Sequence, residues 1–240
     1  MDVSGQDREV GSGLLRGLLA WALWVIASAT GGAILAPIGE PLEIVGFLFL
    51  PGVVLGAAQA LVLRRYLPYP PNETNVAALV WVGASFLGWL AGCIVFVLVR
   101  ALARLMGVPE IAQQIGSLFV QIVGTETART TALRIVIWAV FAAVQGVTLA
   151  LGALALGHRR RTLLVLAALW VPAGAIGGAL AVAVSSTVVA AAFSGGFDLF
   201  FDRILPGIVG QTTAWALYGV LTGVVFALIT QSLVPREESA

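Results

Sequence analysis

The sequence predicts an all-α protein, an integral membrane six-helix bundle made of three tandem parallel helical hairpins. Of its 240 residues, 60% are hydrophobic and only 10% are charged, and the mean hydropathy is +1.01. A soluble domain normally carries roughly a quarter charged residues. The apolar residues also fall into six long runs, each of about the 20 residues that a helix needs to cross a bilayer. A third observation, a sequence phrase that returns in alternate runs, predicts the hairpin organisation.

The six apolar runs are bounded by charged residues or by turn residues, and each is predicted to form one membrane-spanning helix. The predicted spans are residues 17–36, 44–63, 77–99, 135–156, 163–192 and 208–233. They form one transmembrane domain, residues 17–234, between a polar N-terminus (1–16) and a short tail (235–240). Six spans place both termini on one side of the membrane. Eight of the 13 basic residues lie on that side, so the positive-inside rule predicts that both termini are cytoplasmic.

Two connections on the opposite side carry further features. Residues 109–123 place several large apolar side chains on one helical face and glutamines elsewhere, which predicts an amphipathic helix lying at the interface. Residues 194–207 mix aromatic and charged residues and are predicted to form an outward loop. Asp198 and Asp202 lie four residues apart in this stretch and could bind a cation, although two carboxylates beside Arg203 are more typical of a solvated face.

The phrase W-V-x-A-x-x-x-G occurs in the first, third and fifth spans. Its Ala and Gly lie four residues apart, and such a pair of small residues lets helices approach closely in a membrane. We therefore expect the glycines to face neighbouring helices and the three tryptophans to lie at one depth, near the cytoplasmic interface. The residues are Trp24, Ala27 and Gly31 in the first copy, Trp81, Ala84 and Gly88 in the second, and Trp170, Ala173 and Gly177 in the third.

The even-numbered spans share a second pattern, in which two glycines are separated by three residues. Gly52 and Gly56 in the second span are matched with Gly219 and Gly223 in the sixth, with a leucine five residues after the second glycine in each. This alignment places Phe226 where the second span has Gln59. The fourth span keeps a glutamine, Gln145, but has Trp138 and Ala142 at the glycine positions.

The joined motifs W-V-x-A-S-x-x-G-W and G-x-x-x-G-x-x-Q-x-L-V-L-R-R resemble a group of bacterial multi-pass membrane proteins built from repeated helical hairpins. WVGASFLGW (81–89) and GVVLGAAQALVLRR (52–65) carry most of the likeness. The sequence departs from that group at Ala60, where a tryptophan usually follows the glutamine. The resemblance implies an architecture and a location in the bacterial inner (plasma) membrane. The group has no assigned biochemical function, so no active site is carried over.

Ionisable residues inside the apolar runs would point to transport or catalysis. None of the six runs has Asp, Glu, Arg or His at its middle, and the single histidine, His158, lies in the arginine-rich stretch HRRR. The single cysteine, Cys93, has no partner in the chain for a disulfide. We therefore predict no catalytic residues, no metal site and no cofactor.

Buried amides are the most costly polar groups in these runs if they lack hydrogen-bond partners. Gln145 lies near the middle of its span, and Gln59 lies towards the cytoplasmic end of its own. They have two interpretations. Either they hydrogen-bond between packed helices, or they line a polar pocket.

These observations favour a non-catalytic polytopic membrane protein, either an accessory or scaffold subunit of a larger membrane complex or a homo-oligomer. The expected partners are the lipid bilayer and other membrane subunits or a second copy of the chain. A net charge of +1 argues against nucleic acid as a partner. The alternative is a solute- or lipid-binding transport component, which a polar pocket around Gln145 would favour.

Overall fold

The computed structural model describes residues 3–67, 70–105, 127–155, 160–192 and 201–232, and five helices account for nearly all of them. The prediction of an all-α fold is confirmed for this part of the chain. The helices are α1 (Val3–Tyr66), α2 (Pro71–Leu105), α3 (Thr127–Ala155), α4 (Arg160–Ala192) and α5 (Phe201–Ser232).

Helix α1 contains two predicted spans and packs against itself. The Gln59 amide donates to Ser28 Oγ at 3.1 Å, although a straight helix would separate these residues by about 46 Å. Gly31 likewise lies against the backbone of Leu55. The chain therefore reverses direction between the N-terminal part of α1 (residues 13–35, α1N) and its C-terminal part (residues 49–66, α1C).

The helices form a closed ring in chain order. Contacts join α1 to α2, α2 to α3, α3 to α4 and α4 to α5, and α5 returns to pack against α1. The ring closes on α1N, because the indole N–H of Trp21 donates to the carbonyl of Val220 on α5 at 3.0 Å. Every described helix therefore has two neighbours, and the ring has an interior that all of them share.

Large apolar side chains cover the outside of the ring, while its buried side chains include several polar ones. Leu61 and Leu79, for example, are about 70% exposed, whereas Gln59 and Gln145 are fully buried. Within the described residues, four helices are long and apolar enough to cross a membrane, and one further apolar helix is shorter. The four are Gly13–Leu35, Pro71–Val99, Arg161–Val189 and Leu205–Ser232, and the shorter one is Ile137–Gly152.

Several boundaries differ from the predicted ones. Helix α1 begins at Val3, so most of the polar N-terminus (1–16) is helical. Helix α5 begins at Phe201 and takes in half of the predicted outward loop. Pro206 does not prevent this, because it removes only one backbone hydrogen bond close to a helix end. The predicted interfacial helix (109–123), Asp198 and the tail (235–240) lie outside the described residues, as does the side chain of Asp202.

Candidate functional site

Three tryptophans from three different parts of the chain meet inside the ring. The ring centroids are 5.7 Å apart for Trp24 and Trp81, 5.6 Å for Trp24 and Trp170, and 5.4 Å for Trp81 and Trp170. All three pairs have the edge-to-face geometry that aromatic rings prefer. Each ring is at most 3% exposed, so the tryptophans form the centre of the bundle and not a belt at its surface. We call these residues the tryptophan centre.

Each indole of the tryptophan centre donates its N–H to a side chain on a neighbouring helix. Trp81 Nε1 donates to Gln59 Oε1 at 3.1 Å, and Trp170 Nε1 donates to Gln145 Oε1 at 3.3 Å. Trp24 Nε1 donates to Thr222 Oγ1 at 3.1 Å. An indole has one donor and no acceptor. All three indole N–H groups therefore have their hydrogen-bond partners inside the protein.

The two glutamines each join at least three helical segments. The amide group of Gln59 donates to Ser28 Oγ on α1N, while its oxygen accepts from Trp81 on α2. Gln145 on α3 repeats the arrangement, with its amide group donating to Ser85 Oγ on α2 at 2.8 Å and its oxygen accepting from Trp170 on α4. Both serines lie four residues after the tryptophan of their own segment, on the same helical face.

The contacts that α5 makes with its two neighbours, α4 and α1N, are built differently. Thr222 takes the place of a glutamine, and Gly174 stands four residues after Trp170, where the other copies have serine. Tyr218 reaches past Gly174 and donates its hydroxyl to Gln145 Oε1 at 2.6 Å. Within the described residues, Gln145 therefore has three side-chain partners, whereas Gln59 has two.

These contacts correct the predicted alignment of the last span. The partner of Trp24 is Thr222, not Phe226, so the residue that corresponds to Gln59 and Gln145 lies one helical turn earlier. Phe226 instead stacks on Trp24, with ring centroids 4.3 Å apart. The predicted alignment matches both glycines of the second span, whereas the alignment one turn earlier matches only Gly219 with Gly56 and places Trp215 opposite Gly52. The hydrogen bond distinguishes them.

The glycines of the W-V-x-A-x-x-x-G phrase all lie against the next segment of the chain. A Cβ atom at Gly31 would lie 3.4 Å from the Cα of Leu55, and one at Gly177 would lie 3.2 Å from the Cα of Tyr218. At Gly88 it would lie 3.1 Å from the carbonyl oxygen of Phe141. The three contacted residues, each fully buried, stand four residues before Gln59, Gln145 and Thr222.

The paired glycines of the even-numbered spans face the other neighbour. A Cβ atom at Gly52 would lie 2.5 Å from the carbonyl oxygen of Ser85, and one at Gly56 would lie 2.8 Å from Ser85 Cβ. Gly219 lies against Ser28, and Gly223 lies against Trp21 and Trp24. The alanines of the tryptophan phrase are also inside: Ala84 is buried, and Ala27 and Ala173 are half-buried and pack on the cluster around the tryptophan centre.

The interface between α3 and α4 exchanges large and small residues. At the interfaces of α1C with α2 and of α5 with α1N, the paired glycines lie on the even-numbered span. Here that span, α3, carries Trp138, which packs against Gly178 on α4. Trp138 and Trp215 belong to a second aromatic cluster, in which their ring centroids are 4.4 Å apart. The two tryptophans begin similar sequences, WAVF (138–141) and WALY (215–218). In both, the tryptophan is followed by alanine, an aliphatic residue and an aromatic residue. The alignment based on glycines does not match these two sequences with each other.

A separate groove opens between α2 and α3, has a volume of about 1040 Å³, and reaches Leu63 on α1C, Leu163 on α4 and Ile229 on α5. Its walls include Val80 and Gly83 on α2, and Leu151 and Gly152 on α3. Neither Gln59 nor Gln145 lines it, and both are fully buried. The polar pocket considered for these two residues is therefore not the groove, which is mainly apolar.

Across the described ranges, no group of three or more His, Cys, Asp or Glu side chains is arranged to hold a metal ion. Cys93 is buried between helices as a reduced thiol. Gln59 and Gln145 join helices through hydrogen bonds, whereas Thr230 bonds within its own helix and, among the described residues, Thr212 Oγ1 is buried without a partner. Comparison of the chain with family models, with curated proteins and with solved structures finds no match.

Proposed function

We propose that the protein is a six-span membrane bundle of three tandem hairpins related by an approximate threefold axis through the tryptophan centre. The hairpins are α1N with α1C, α2 with α3, and α4 with α5. The support is the recurrence of the same contacts, since each tryptophan bonds to the preceding hairpin around the ring. Each phrase glycine also lies against the second helix of its own hairpin.

The distribution of side chains supports insertion in a bilayer. Exposed leucines and valines on all sides of the ring would make an apolar surface far larger than soluble monomers carry. In hydrocarbon, buried hydroxyls and amides need partners inside the protein, and Ser28, Gln59, Ser85 and Gln145 have them. We further propose a bacterial inner-membrane location with both termini in the cytoplasm, which thiol labelling of cysteines placed at either terminus would test.

We propose that the bundle acts by association, as a scaffold or accessory subunit or as a homo-oligomer, and that it is not a catalyst. The tryptophan centre is the observation that carries this proposal. Three large rings fill the middle of the bundle, and their N–H groups are engaged with side chains of other helices. A transport path along the axis would have to displace these rings and break their hydrogen bonds. The centre therefore supports a rigid unit that presents its outer surface to partners.

Photo-cross-linking in native membranes tests this proposal. A photoreactive residue is placed at one exposed position on each segment, and the products are identified by mass spectrometry. At least one face should yield a covalent adduct with a second polypeptide, in a yield that does not depend on expression level. Suitable exposed positions are Leu18, Leu61, Leu98, Val147, Val165 and Val224.

The same photoreactive residue at Leu55 is the matched control, because this side chain is fully buried and should give no intermolecular product. Adducts with lipid alone at all six exposed positions would contradict a role in association. The products also distinguish the two forms of the proposal, since a homo-oligomer gives adducts with the same chain only.

A further inference from the structure

The groove between α2 and α3 opens sideways from the bundle. Near its inner end the two helices are in close contact, with Gly88 against Phe141 and Gly92 against Ile137. The groove extends from there towards the end of the bundle that carries Glu73 and Gly152. Side chains on both walls, such as Val80 and Leu151, are more than half exposed, so the groove would face the lipid.

Two glycines without side chains, Gly83 and Gly152, contribute to the open space of the groove. In the proposed threefold arrangement, the residue seven positions after Gln59 is Tyr66 and the residue seven positions after Thr222 is Ile229. Both are only 7% exposed, and the side chain of Ile229 also reaches the inner wall of the groove. The equivalent residue after Gln145 is Gly152, which is exposed, and a Cβ atom added there would meet nothing within 4 Å. Gly83 on the opposite wall also faces open space.

The groove has the length and polarity of one leaflet. Its wall on α2 runs from Glu73 to Leu87, a helical rise of about 21 Å. Half of a bilayer, with its headgroup region, measures roughly 20–22 Å. Asn72 and Glu73 lie at one end, and the walls beyond them are apolar apart from Thr148. A single charged end on a long apolar channel matches the chemistry of a lipid.

We propose that this groove binds one membrane phospholipid whose headgroup carries a primary ammonium, as in phosphatidylethanolamine. One acyl chain lies between α2 and α3, against Gly83 and Gly152. The ammonium donates to the carboxylate of Glu73, the only ionisable side chain among the described residues that line the groove. Arg64 and Arg161, exposed near the same end of the bundle, are available to the phosphate.

The shape of the groove favours a lipid over a helix of another protein. A partner helix would be expected to follow α2 across the whole bilayer, but the groove ends where Gly88 meets Phe141. Acyl chains gain no hydrophobic energy by leaving the bilayer for an apolar groove. Selectivity for one lipid must therefore come from the fit of its acyl chain and from contacts with its headgroup. Glu73 provides the headgroup contact.

Native mass spectrometry of the full chain in mild detergent tests the proposal. The protein is titrated with phosphatidylethanolamine, phosphatidylcholine and phosphatidylglycerol of matched acyl chains. One phosphatidylethanolamine per chain should be retained in preference to the other two lipids. Gly152→Leu, which fills the groove from α3, should lower its affinity at least about tenfold. Gly83→Leu should do the same from α2.

Gly13→Leu is the matched control, because Gly13 also faces open space but lies outside the groove. It should leave lipid binding unchanged. Glu73→Gln should reduce the preference for phosphatidylethanolamine over phosphatidylglycerol about fivefold, the size of an exposed ion pair, while total lipid binding remains. Circular dichroism confirms that each variant is folded before titration.

Three results would overturn the proposal. One is equal lipid retention by Gly152→Leu, Gly83→Leu and the parent chain. Another is equal loss in Gly13→Leu, which would make the effect nonspecific. The third is cross-linking from a photoreactive residue at Leu151 to a peptide, of this chain or of another, in place of a lipid. These outcomes leave the proposed association through other faces of the bundle untouched.

Discussion

The indole N–H of Trp24 donates to Thr222 Oγ1 across 198 residues of sequence. This hydrogen bond joins the first apolar segment of the chain to the last helix and so closes the ring. The Thr222 hydroxyl in turn donates its single hydrogen to the carbonyl of Tyr218 at 2.8 Å. Its oxygen is therefore free to accept the hydrogen bond from the indole N–H of Trp24. Threonine can therefore serve where the other two interfaces use glutamine.

Thr222→Val should destabilise the bundle by about 1–2 kcal/mol, because the buried N–H of Trp24 loses its acceptor while the side-chain volume is kept. Thermal unfolding of the purified protein in detergent measures the change. Thr187→Val is the matched control, since its hydroxyl also donates to a carbonyl four residues earlier but is exposed. Equal effects of the two substitutions would show that the Trp24 bond contributes nothing.

Gln145→Leu should cost more stability than Gln59→Leu. The first leaves the side chains of Ser85, Trp170 and Tyr218 without this partner, whereas the second affects only Ser28 and Trp81. Interhelical hydrogen bonds in membrane proteins average about 0.6 kcal/mol, so the loss at Gln145 should be about 2 kcal/mol. Denaturation in mixed micelles compares the two variants, and the reverse order would contradict the hydrogen-bond assignments.

Gly52→Ala and Gly83→Ala should have opposite effects, although both lie inside helices. The new methyl at residue 52 would meet the carbonyl oxygen of Ser85 at 2.5 Å, which should cost about 1–3 kcal/mol. At residue 83 it meets nothing within 4 Å, so the higher helix propensity of alanine should give about 0.5–1 kcal/mol of added stability. Melting temperatures of the two variants test this, and a tolerated Gly52→Ala would contradict the close approach of α1C and α2.

The reversal of α1 can be tested by a disulfide in a Cys93→Ala background. A Cβ at Gly31 would lie 3.8 Å from the Cβ of Ala58, which is the separation typical of disulfides. Gly31→Cys combined with Ala58→Cys should therefore oxidise to a cross-linked chain, detected by the mass of the joined peptides. Gly31→Cys with Ala57→Cys is the control, because Ala57 is exposed on the outer surface. Efficient cross-linking of the control pair alone would place α1N and α1C in another register.

The helical fold follows from composition and hydrophobic run length, which are properties of local sequence. The position of the phrase glycines against neighbouring segments follows from their spacing, because small residues four apart form a flat helical face. The tryptophans are buried at the centre of the bundle, and their depth near the cytoplasmic interface stays a prediction. Tryptophan is common both at membrane interfaces and in packed cores. The sequence of one helix does not show that these rings are buried, because their acceptors, Gln59, Gln145 and Thr222, lie on neighbouring helical segments.

The groove at Gly152 could not be predicted from the sequence of one hairpin. Gly152 stands out only by comparison with Tyr66 and Ile229, the buried residues at the equivalent positions of the other two hairpins. That comparison depends on the corrected alignment of α5. The matching pairs WAVF and WALY carried this information in the sequence. The more conspicuous Gly-xxx-Gly pattern, shared by α1C and α5, pointed to an alignment one turn away.

Closure of the ring by α5 sets an order for biogenesis. During synthesis Trp24 leaves the ribosome 198 residues before Thr222, which at typical translation rates is roughly 10–40 s. Throughout this interval α1N lacks the helix that covers Trp21 and Trp24. In the proposed membrane arrangement, the nascent chain therefore keeps these two indoles uncovered until its last helix arrives. A chain that stops before α5 would remain an open arc with this face uncovered.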